Sequence, residues 1–260
     1  MPIITLTTDW NNDDFYIGAI KGLLYSKCPS DVNIVDITHK IESFKYTQAA
    51  FILKNVFSVY PKGTIHIIGV NSDYSKDHPH VCLKIKDQIF LGTSNGIFSL
   101  MFEDEPDIIV EIKETEIIKR STFPELTVLA ETAAFLLNGG DIKQLGNEVS
   151  DKHRYISLMP AFDEKDIVGS VIYIDSYKNI ITNISKELFD KIRNNRKFKI
   201  SVKSDIYTID KISNNYSEVE QGDILAVFNS LGLLEIAQRN GQIAQIIDIN
   251  INAPVIVKFI

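Results

Sequence analysis

Three carboxylates and the single tryptophan of the chain are concentrated in one short segment near its start. Asp9 follows the apolar run Ile3–Thr8, Trp10 comes next, and Asp13 and Asp14 precede a helical pattern. This puts the acids at the carboxyl end of a predicted strand, where open α/β sheets bind ligands. A carboxylate there can bind a cation, or accept hydrogen bonds from both hydroxyls of a sugar diol. An aspartate can also simply cap the helix, but capping does not require three acids and a tryptophan, so we favour a ligand site.

A second group of polar side chains occurs in the segment Ile174–Ile184. Asp175 ends an apolar run, and Tyr177 and Asn179 follow it in a predicted turn. An asparagine amide can donate and accept at once, as an adenine edge requires, and a tyrosine ring offers a stacking surface. The same residue types are also typical of a β-hairpin turn. Both interpretations stay open on these residues alone.

Composition limits the classes of protein to which the chain can belong. The 260 residues suffice for one large or two ordinary domains, and 45% hydrophobic with 23% charged residues is ordinary for a globular protein. The formal net charge of −7 and the absence of a basic stretch argue against a nucleic-acid partner. Cys28 and Cys82 have neither metal-site nor disulfide spacing. No apolar run reaches membrane-spanning length, so we expect a cytoplasmic protein with no membrane partner.

The elements that must position these groups alternate between strand and helix in the first half of the chain. Helical patterns at Tyr16–Ser26 and Thr47–Tyr60 separate three strand patterns, the third of which, Ile65–Val70, is continuously apolar. Such alternation is typical of a parallel sheet with crossover helices. The sequence therefore predicts an α/β N-terminal domain with a central, mostly parallel sheet over residues 1–155.

The pattern changes after a stretch with little apolar periodicity. Residues 156–166 contain Pro160 and are predicted to be a linker. Beyond them, short strand patterns separated by turn residues follow one another, interrupted by one short helix at Lys186–Asn194. Several short strands at this spacing predict a small, β-barrel-like C-terminal domain over residues 167–260.

Six short segments occur in one order along the chain, and together they point to a known family. In that order the chain resembles the S-adenosylmethionine (SAM) hydroxide adenosyltransferases, which also include the chlorinases and fluorinases. The resemblance extends over nearly the whole sequence. The segments are the turn at Asp9, Asp36–His39, Tyr60–His66, Ser94–Gly96, Asp175–Ile184 and Asn229–Ala237.

The resemblance implies a fold, an assembly and a reaction. Family members have an N-terminal α/β domain and a C-terminal barrel-like domain, and they form trimers that bind SAM between the N-domain of one subunit and the C-domain of its neighbour. A nucleophile displaces methionine from ribose C5′; it is water in most members, giving adenosine and methionine, and a halide in the halogenases. The expected partners are therefore SAM or adenosine and a homotrimer. No metal and no cofactor other than SAM itself are expected.

By position, the resemblance assigns five residues of the N-terminal domain to the SAM site. Asp9 would bind the ribose 2′- and 3′-hydroxyls, and Asp14 would bind the methionine ammonium. Thr122 and Phe123 would line the region of C5′, and Trp10 would form a wall of the pocket.

Five residues of the C-terminal domain are assigned in the same way. Asp175 would share the methionine ammonium, while Tyr177 and Asn179 would contact adenine with the help of the backbone near Asn240. Ser230 would lie near the methionine carboxylate.

The chain departs from the family at the residues that activate water. Water-using members carry an aspartate just after the third strand, where this chain has Asn71, and a histidine after a Thr-Phe pair, where it has Pro124. The family arginine would fall near Asp77 or His78. The catalytic triad of the family is therefore degenerate in this sequence.

Three residues are candidate replacements for the missing triad. Asp73, His78 and Glu125 lie close to the vacant positions in the sequence, and a carboxylate or imidazole can act as a general base. We expect His80, by contrast, to be a surface loop histidine.

Three other functions remain open at this point. The chain could transfer the adenosyl group to another nucleophile, or bind SAM or a nucleoside without turnover as a sensor. It could also bind metal and ribose through Asp9, Asp13 and Asp14, as nucleoside hydrolases do. In that last pattern Asn11 replaces an acid, and the C-terminal half of the chain does not fit.

Overall fold

The computed structural model describes residues 1–113, 115, 118–150 and 159–260, without the side chains of residues 118 and 204–206. The chain divides into two compact units, Met1–Ile156 and Ser157–Ile260. The predicted domain end at residue 155 and the start of the predicted linker fall outside the described residues. The domain boundaries therefore stay a prediction.

A mixed sheet forms the centre of the first unit. Its described strands are β1 (Ile3–Thr8), β2 (Asn33–Thr38), β3 (Ile65–Gly69), β4 (His80–Ile85), β5 (Gln88–Thr93), β6 (Ile108–Ile112) and β7 (Gly146–Glu148). They are arranged in the order β2-β1-β3-β5-β4-β6-β7. Strands β2, β1, β3 and β5 run parallel, whereas β4, β6 and β7 pair antiparallel with their neighbours.

The predicted α/β domain is confirmed in outline, but its sheet is mixed rather than mostly parallel. The reason lies in the turn between β4 and β5. Lys86 and Asp87 both have positive φ, at 51° and 60°, which is the geometry of a tight two-residue hairpin turn. Such a turn joins antiparallel strands only, so the parallel part of the sheet ends at β5.

Helices cover both faces of this sheet. Helices α1 (Tyr16–Lys27) and α4 (Glu131–Leu137) cover one face, and α2 (Tyr46–Lys54) and α3 (Ile97–Met101) cover the other. Every residue of β3 is buried, as its continuous apolar run predicted for a strand covered on both faces. A π-helical turn, Glu125–Ala130, leads directly into α4.

The second unit is an antiparallel, barrel-like sheet. Its strands are β8 (Ala161–Phe162), β9 (Asp166–Ile174), β10 (Ile180–Ser185), β11 (Phe198–Val202), β12 (Ser204–Ile209), β13 (Ile224–Phe228), β14 (Leu233–Gln238) and β15 (Pro254–Phe259). The order is β12-β11-β15-β9-β10-β14-β13, with β8 on β9. A bridge from Ile212 to Ala226 joins the segment after β12 to β13, so the sheet nearly closes. The predicted barrel-like domain is confirmed in outline.

Two α-helices complete the described part of the second unit. Helix α5 (Lys186–Arg193) is capped by the Ser185 hydroxyl and ends in Asn194 with left-handed backbone geometry. Helix α6 (Ile243–Ile246) follows β14. Phe189 of α5 lies in the apolar core between the strands, against Phe198, Phe228 and Phe259. No helix within the described residues is both long and apolar enough to cross a membrane.

Candidate functional site

The turn that follows β1 is held by backbone contacts to both neighbouring strands. The Asp9 amide lies 3.4 Å from the carbonyl oxygen of Gly69 at the end of β3, and the Asn11 amide donates to the His39 carbonyl at 2.8 Å. The Asp9 carboxylate accepts a hydrogen bond from the Phe44 amide at 2.8 Å. Asp9 therefore lies half-buried at the carboxyl ends of β1 and β3, where the sequence predicted it.

An aromatic cluster flanks Asp9. The Trp10 ring lies 5.7 Å from that of Tyr16 and 5.4 Å from that of Phe123, and it stacks on the His39 ring at 6.5 Å. Tyr16 and Phe123 also contact each other edge to face at 4.9 Å. Trp10 and Phe123, predicted to line one pocket, are thus brought together by packing on α1 and on the loop before the π-helical turn.

Other predicted residues of this region lie at the surface. Asp14 and Thr122 are exposed. Phe15 and Phe44 are exposed as well, at 72% and 68%, and Phe44 has a left-handed backbone with φ 67°. Sequence reasoning missed Phe44, although a large aromatic beside Ser43 in a polar loop was a signal.

A buried carboxyl group adjoins Asp9 and Trp10. The Glu125 side chain is only 4% exposed, and its carboxyl accepts a hydrogen bond from the Ser72 hydroxyl. A Cβ atom on Gly69 would lie 2.8 Å from Glu125 Cγ and 3.2 Å from Trp10 Cζ2. Only glycine lets the end of β3 approach the two side chains this closely.

The surroundings of Glu125 make its carboxylate a stronger base than that of an exposed glutamate. Burial raises the pKa of this carboxyl above its usual range, and the negative charge of Asp9 raises it further. The hydrogen bond from Ser72 and the nearby His80 act in the opposite direction. Among the described residues, no lysine or arginine forms an ion pair with Glu125.

The loop after β3 forms hydrogen bonds with the start of β4 and with the turn before α3. His80 Nε2 donates to the Ser72 carbonyl oxygen at 2.7 Å, and the Asn95 side chain donates to the Asn71 carbonyl at 3.2 Å. His80 is only 1% exposed. The expectation that it is a surface histidine is therefore wrong, because His80 begins a buried strand and its ring binds the loop backbone.

Asp73 and His78 lie elsewhere on the same loop. Asp73 is exposed. His78 is half-buried, its Nδ1 lies 3.1 Å from the Ser94 carbonyl oxygen, and its amide donates to the Ser75 hydroxyl at 2.9 Å. Of the three predicted catalytic residues, Glu125 is the one that the described contacts place beside Trp10 and Gly69.

In the second unit, the turn between β9 and β10 is closed by side chains. The Asp175 carboxylate accepts from the Asn179 amide at 2.8 Å and from its side-chain nitrogen at 3.1 Å. Asn179 is buried, and Tyr177 is 74% exposed at the tip of the turn. Asn240 is exposed in a left-handed turn with φ 55°. The turn-forming interpretation of Asp175 and Asn179 is thus observed, and the adenine contacts stay a prediction.

A groove lies beside this turn within the second unit. Its volume is about 520 Å³, and it is lined by residues that include Ser230, Phe228, Tyr216 and Glu235. Glu235 is buried and accepts hydrogen bonds from the Tyr216 hydroxyl at 2.6 Å and from the Asn229 side chain at 3.1 Å. Burial raises the pKa of Tyr216, and the hydrogen bond to Glu235 and the charges of Glu235 and Asp175 raise it further.

Of the residues that line the groove, only Glu235 is charged, and the other polar groups are neutral asparagine, serine and tyrosine side chains. The groove therefore suits a ligand that forms hydrogen bonds. Sequence reasoning did not single out Glu235, although a single acid within the apolar strand Leu233–Gln238 was a signal. Within the part of the chain that the structure describes, no three His, Cys, Asp or Glu side chains are grouped so that they could hold a metal ion.

Comparison with known proteins gives two family matches. The SAM hydroxide adenosyltransferase N-terminal domain matches residues 4–146, and the C-terminal domain of the same family matches residues 169–256. A protein named (R)-S-adenosyl-L-methionine hydrolase from Methanocaldococcus jannaschii is 31% identical over 92% of this chain and 89% of its own length. A fluorinase from Nocardia brasiliensis is 23% identical over 94% of this chain and 92% of its own.

Two solved structures share the fold. An uncharacterized conserved protein from Thermotoga maritima has a TM-score of 0.85 at 24% identity, and the match covers 99% of this chain and all of that one. A conserved hypothetical protein from Thermus thermophilus has a TM-score of 0.77 at 21% identity, with both chains fully covered.

Proposed function

The chain belongs to the SAM hydroxide adenosyltransferase family, and we propose that it binds SAM and hydrolyses it to adenosine and methionine. The observation that carries the proposal is the convergence of Asp9, Trp10, Phe123 and the buried Glu125 at the carboxyl ends of β1 and β3. The relative named (R)-S-adenosyl-L-methionine hydrolase supports the same reaction.

In this proposal the N-terminal unit holds the ribose and the reacting carbon. Asp9 accepts hydrogen bonds from the two ribose hydroxyls, which a single carboxylate can do. Trp10 and Phe123 form an apolar wall near C5′, with Thr122 at its edge, and exclude water that does not react. Asp14, at the surface of the turn, binds the methionine ammonium.

The C-terminal unit supplies the remaining contacts, from a neighbouring subunit of a homotrimer. Asp175 binds the same ammonium, and Ser230 lies at the methionine carboxylate. The exposed ring of Tyr177 stacks on adenine, while Asn179 and the backbone near Asn240 contact the adenine edge. The Glu235 carboxylate among the lining residues of the groove is compatible with a cationic amino acid group nearby.

The reaction is an in-line displacement at a primary carbon. Water approaches C5′ to about 3–3.5 Å on the side opposite sulfur. The new bond joins the water oxygen to C5′, and the C5′–S bond breaks with its electron pair passing to sulfur. The positively charged sulfonium thereby becomes the neutral thioether of methionine. One proton of the water is released, and no acid is needed to expel methionine.

The test is incubation of the purified protein with each sulfonium epimer of SAM in turn, followed by chromatography. We expect equal amounts of adenosine and methionine. We also expect faster hydrolysis of the (R) epimer, which is the epimer in the name of the Methanocaldococcus jannaschii relative. Asp9→Asn should abolish turnover, and Asp31→Asn, an exposed acid between α1 and β2, should not. A lack of adenosine from both epimers would refute hydrolysis.

Binding without turnover is the second candidate function. Asn71, which stands where the family carries an acid, is exposed and has a left-handed backbone with φ 48°. Calorimetric binding of SAM with no product after long incubation would favour a sensor. Product formed only with added halide or another nucleophile would favour adenosyl transfer.

A further inference from the structure

The position of Glu125 requires an explanation beyond folding. Removing a carboxylate from water is costly unless a positive group pairs with it. Glu125 is 4% exposed, and no lysine or arginine among the described residues pairs with it. An acid that merely complements a helix start is normally solvated. Perturbed, buried acids of this kind are concentrated at functional sites.

Several elements hold the Glu125 carboxyl in one place. The π-helical turn Glu125–Ala130 presents it at the end of β3, and such turns are frequent at functional sites. Ser72 donates its hydroxyl hydrogen to Oε1. His80 in turn fixes the Ser72 carbonyl at 2.7 Å, and Gly69 leaves room for the side chain.

The carboxyl also lies beside the groups that would bind the substrate. Trp10 and Glu125 both abut Gly69. The charge of Asp9, on the turn after β1, acts on Glu125, and so does His80 at the start of β4. The acid is therefore close to the proposed ribose ligand while remaining shielded from solvent.

We propose that Glu125, positioned by Ser72 and His80, orients the attacking water and accepts its proton, in place of the triad that the family carries. The proposal rests on the proposed function. As the water oxygen bonds to C5′ and the C5′–S pair passes to sulfur, one water proton moves to Glu125 Oε2, while Oε1 keeps its hydrogen bond from Ser72. The protonated Glu125 then releases the proton to solvent after adenosine leaves. Ser72 and His80 are positioning residues and touch no reacting atom.

The experiment compares Glu125→Gln with Glu131→Gln. Glu131 is a partly exposed acid of α4 paired with Lys27, so its change is a matched control. Calorimetric SAM affinity and the single-turnover rate of adenosine formation are measured for both. We expect Glu125→Gln to keep its affinity within a few-fold and to lose about 100-fold or more in rate, as expected for loss of a general base. Glu131→Gln should match the wild type in both.

The pH profile supplies a readout that a purely structural role would not change. The wild-type rate should fall on acidification with a midpoint above the ordinary glutamate pKa of 4.5. Ser72→Ala removes a hydrogen bond that lowers the pKa of Glu125, so it should move that midpoint upward. The wild type and Ser72→Ala suffice for this test if Glu125→Gln does not fold.

The outcomes separate the two proposals. A wild type that neither binds nor hydrolyses SAM would refute the proposed function. Wild-type turnover retained by Glu125→Gln would leave that function standing and overturn the role of Glu125. An acid midpoint at the ordinary value, unmoved by Ser72→Ala, would overturn it as well.

Discussion

A single buried carboxyl should affect stability as well as chemistry. The pKa of Glu125 is raised in the folded protein by burial, so the folded state holds its proton more tightly than the unfolded chain. The raised pKa therefore stabilises the folded state fully at pH values below about 4.5, the pKa of the group in the unfolded chain. This stabilisation is lost as pH rises through the pKa of the group in the folded protein. Glu125→Gln removes this dependence.

We therefore expect Glu125→Gln to become more stable relative to the wild type as pH rises above about 4.5. Denaturant unfolding of both proteins at a series of pH values measures the difference. A difference that stays constant across the series would show that the carboxyl is not perturbed by the fold.

Gly69 allows a second prediction at the scale of one residue. A methyl group there would meet Glu125 Cγ at 2.8 Å, so Gly69→Ala should displace Glu125 and Trp10. We expect a loss of about 1–3 kcal/mol in the free energy of unfolding, typical of overpacking, together with slower adenosine formation.

The matched control for Gly69→Ala is Gly22→Ala in α1, where a Cβ meets nothing within 4 Å. It should stabilise the protein by about 0.5–1 kcal/mol, because alanine favours a helix over glycine. Equal effects of the two substitutions in thermal and chemical unfolding would contradict the close approach at Gly69.

The residue types at strand ends predicted the exposed and half-buried residues of the candidate site, but not its buried residues. Asp9 and Trp10 could be placed from the strand that precedes them, since the carboxyl end of a strand is readable from sequence. The burial of Glu125 could not, because it depends on the π-helical turn and on the approach of Gly69. The burial of His80 could not be read from sequence either, because it is set by strand pairing with Thr93.

At the scale of elements, β3 carries a histidine inside the sheet. His66 is completely buried; the Thr5 hydroxyl donates to its Nδ1 at 2.7 Å, and its Nε2 donates to the Gln88 side chain at 2.7 Å. Its ring also stacks on Phe90 at 4.5 Å. Burial lowers the pKa of His66 from 6.5 to about 4, so the folded state favours the neutral imidazole.

The free energy of unfolding should consequently fall as pH drops from about 6.5 to about 4, by on the order of 3 kcal/mol from this group. The contribution of Glu125 has the opposite sign. His66→Leu should flatten the dependence in that window, and Thr5→Val, which keeps the histidine, should not. If the free energy of unfolding of His66→Leu falls as steeply with acidification as that of the wild type, His66 is ruled out as the cause.

Periodicity predicted the longer elements of both units. Helix α1 and strand β3 were found within a few residues of their predicted limits. Strands β7 and β8 were missed, because three and two residues carry no readable alternation. The mixed character of the first sheet was missed because the antiparallel pairing of β6 with β4, and of β7 with β6, joins segments that are distant in sequence.

At the scale of the whole molecule, the order of six weak motifs was more informative than any one of them. Their order identified the family, which both domain matches confirm. Composition alone indicated no more than an ordinary globular protein. Assembly could not be derived from the residues, because an interface between copies leaves no periodic pattern; the homotrimer with sites shared between subunits is part of our proposal.

That shared site predicts complementation between two inactive variants. Asp9→Ala inactivates the half of a site that the N-terminal unit supplies. Asp175→Ala inactivates the half that the C-terminal unit supplies. If the trimer has sites between neighbours, co-refolding equal amounts should restore about one quarter of wild-type activity, because a quarter of the sites combine two intact halves. Each variant refolded alone should stay inactive. No recovery in the mixture would place each site within one subunit.

The most direct test of the central claim is hydrolysis of SAM in oxygen-18-labelled water, followed by mass spectrometry of both products. Attack of water on C5′ predicts one labelled oxygen in the 5′-hydroxyl of adenosine and none in methionine. The label should appear at the same position, but far more slowly, with Glu125→Gln. Unlabelled adenosine, or no adenosine at all, would contradict the account.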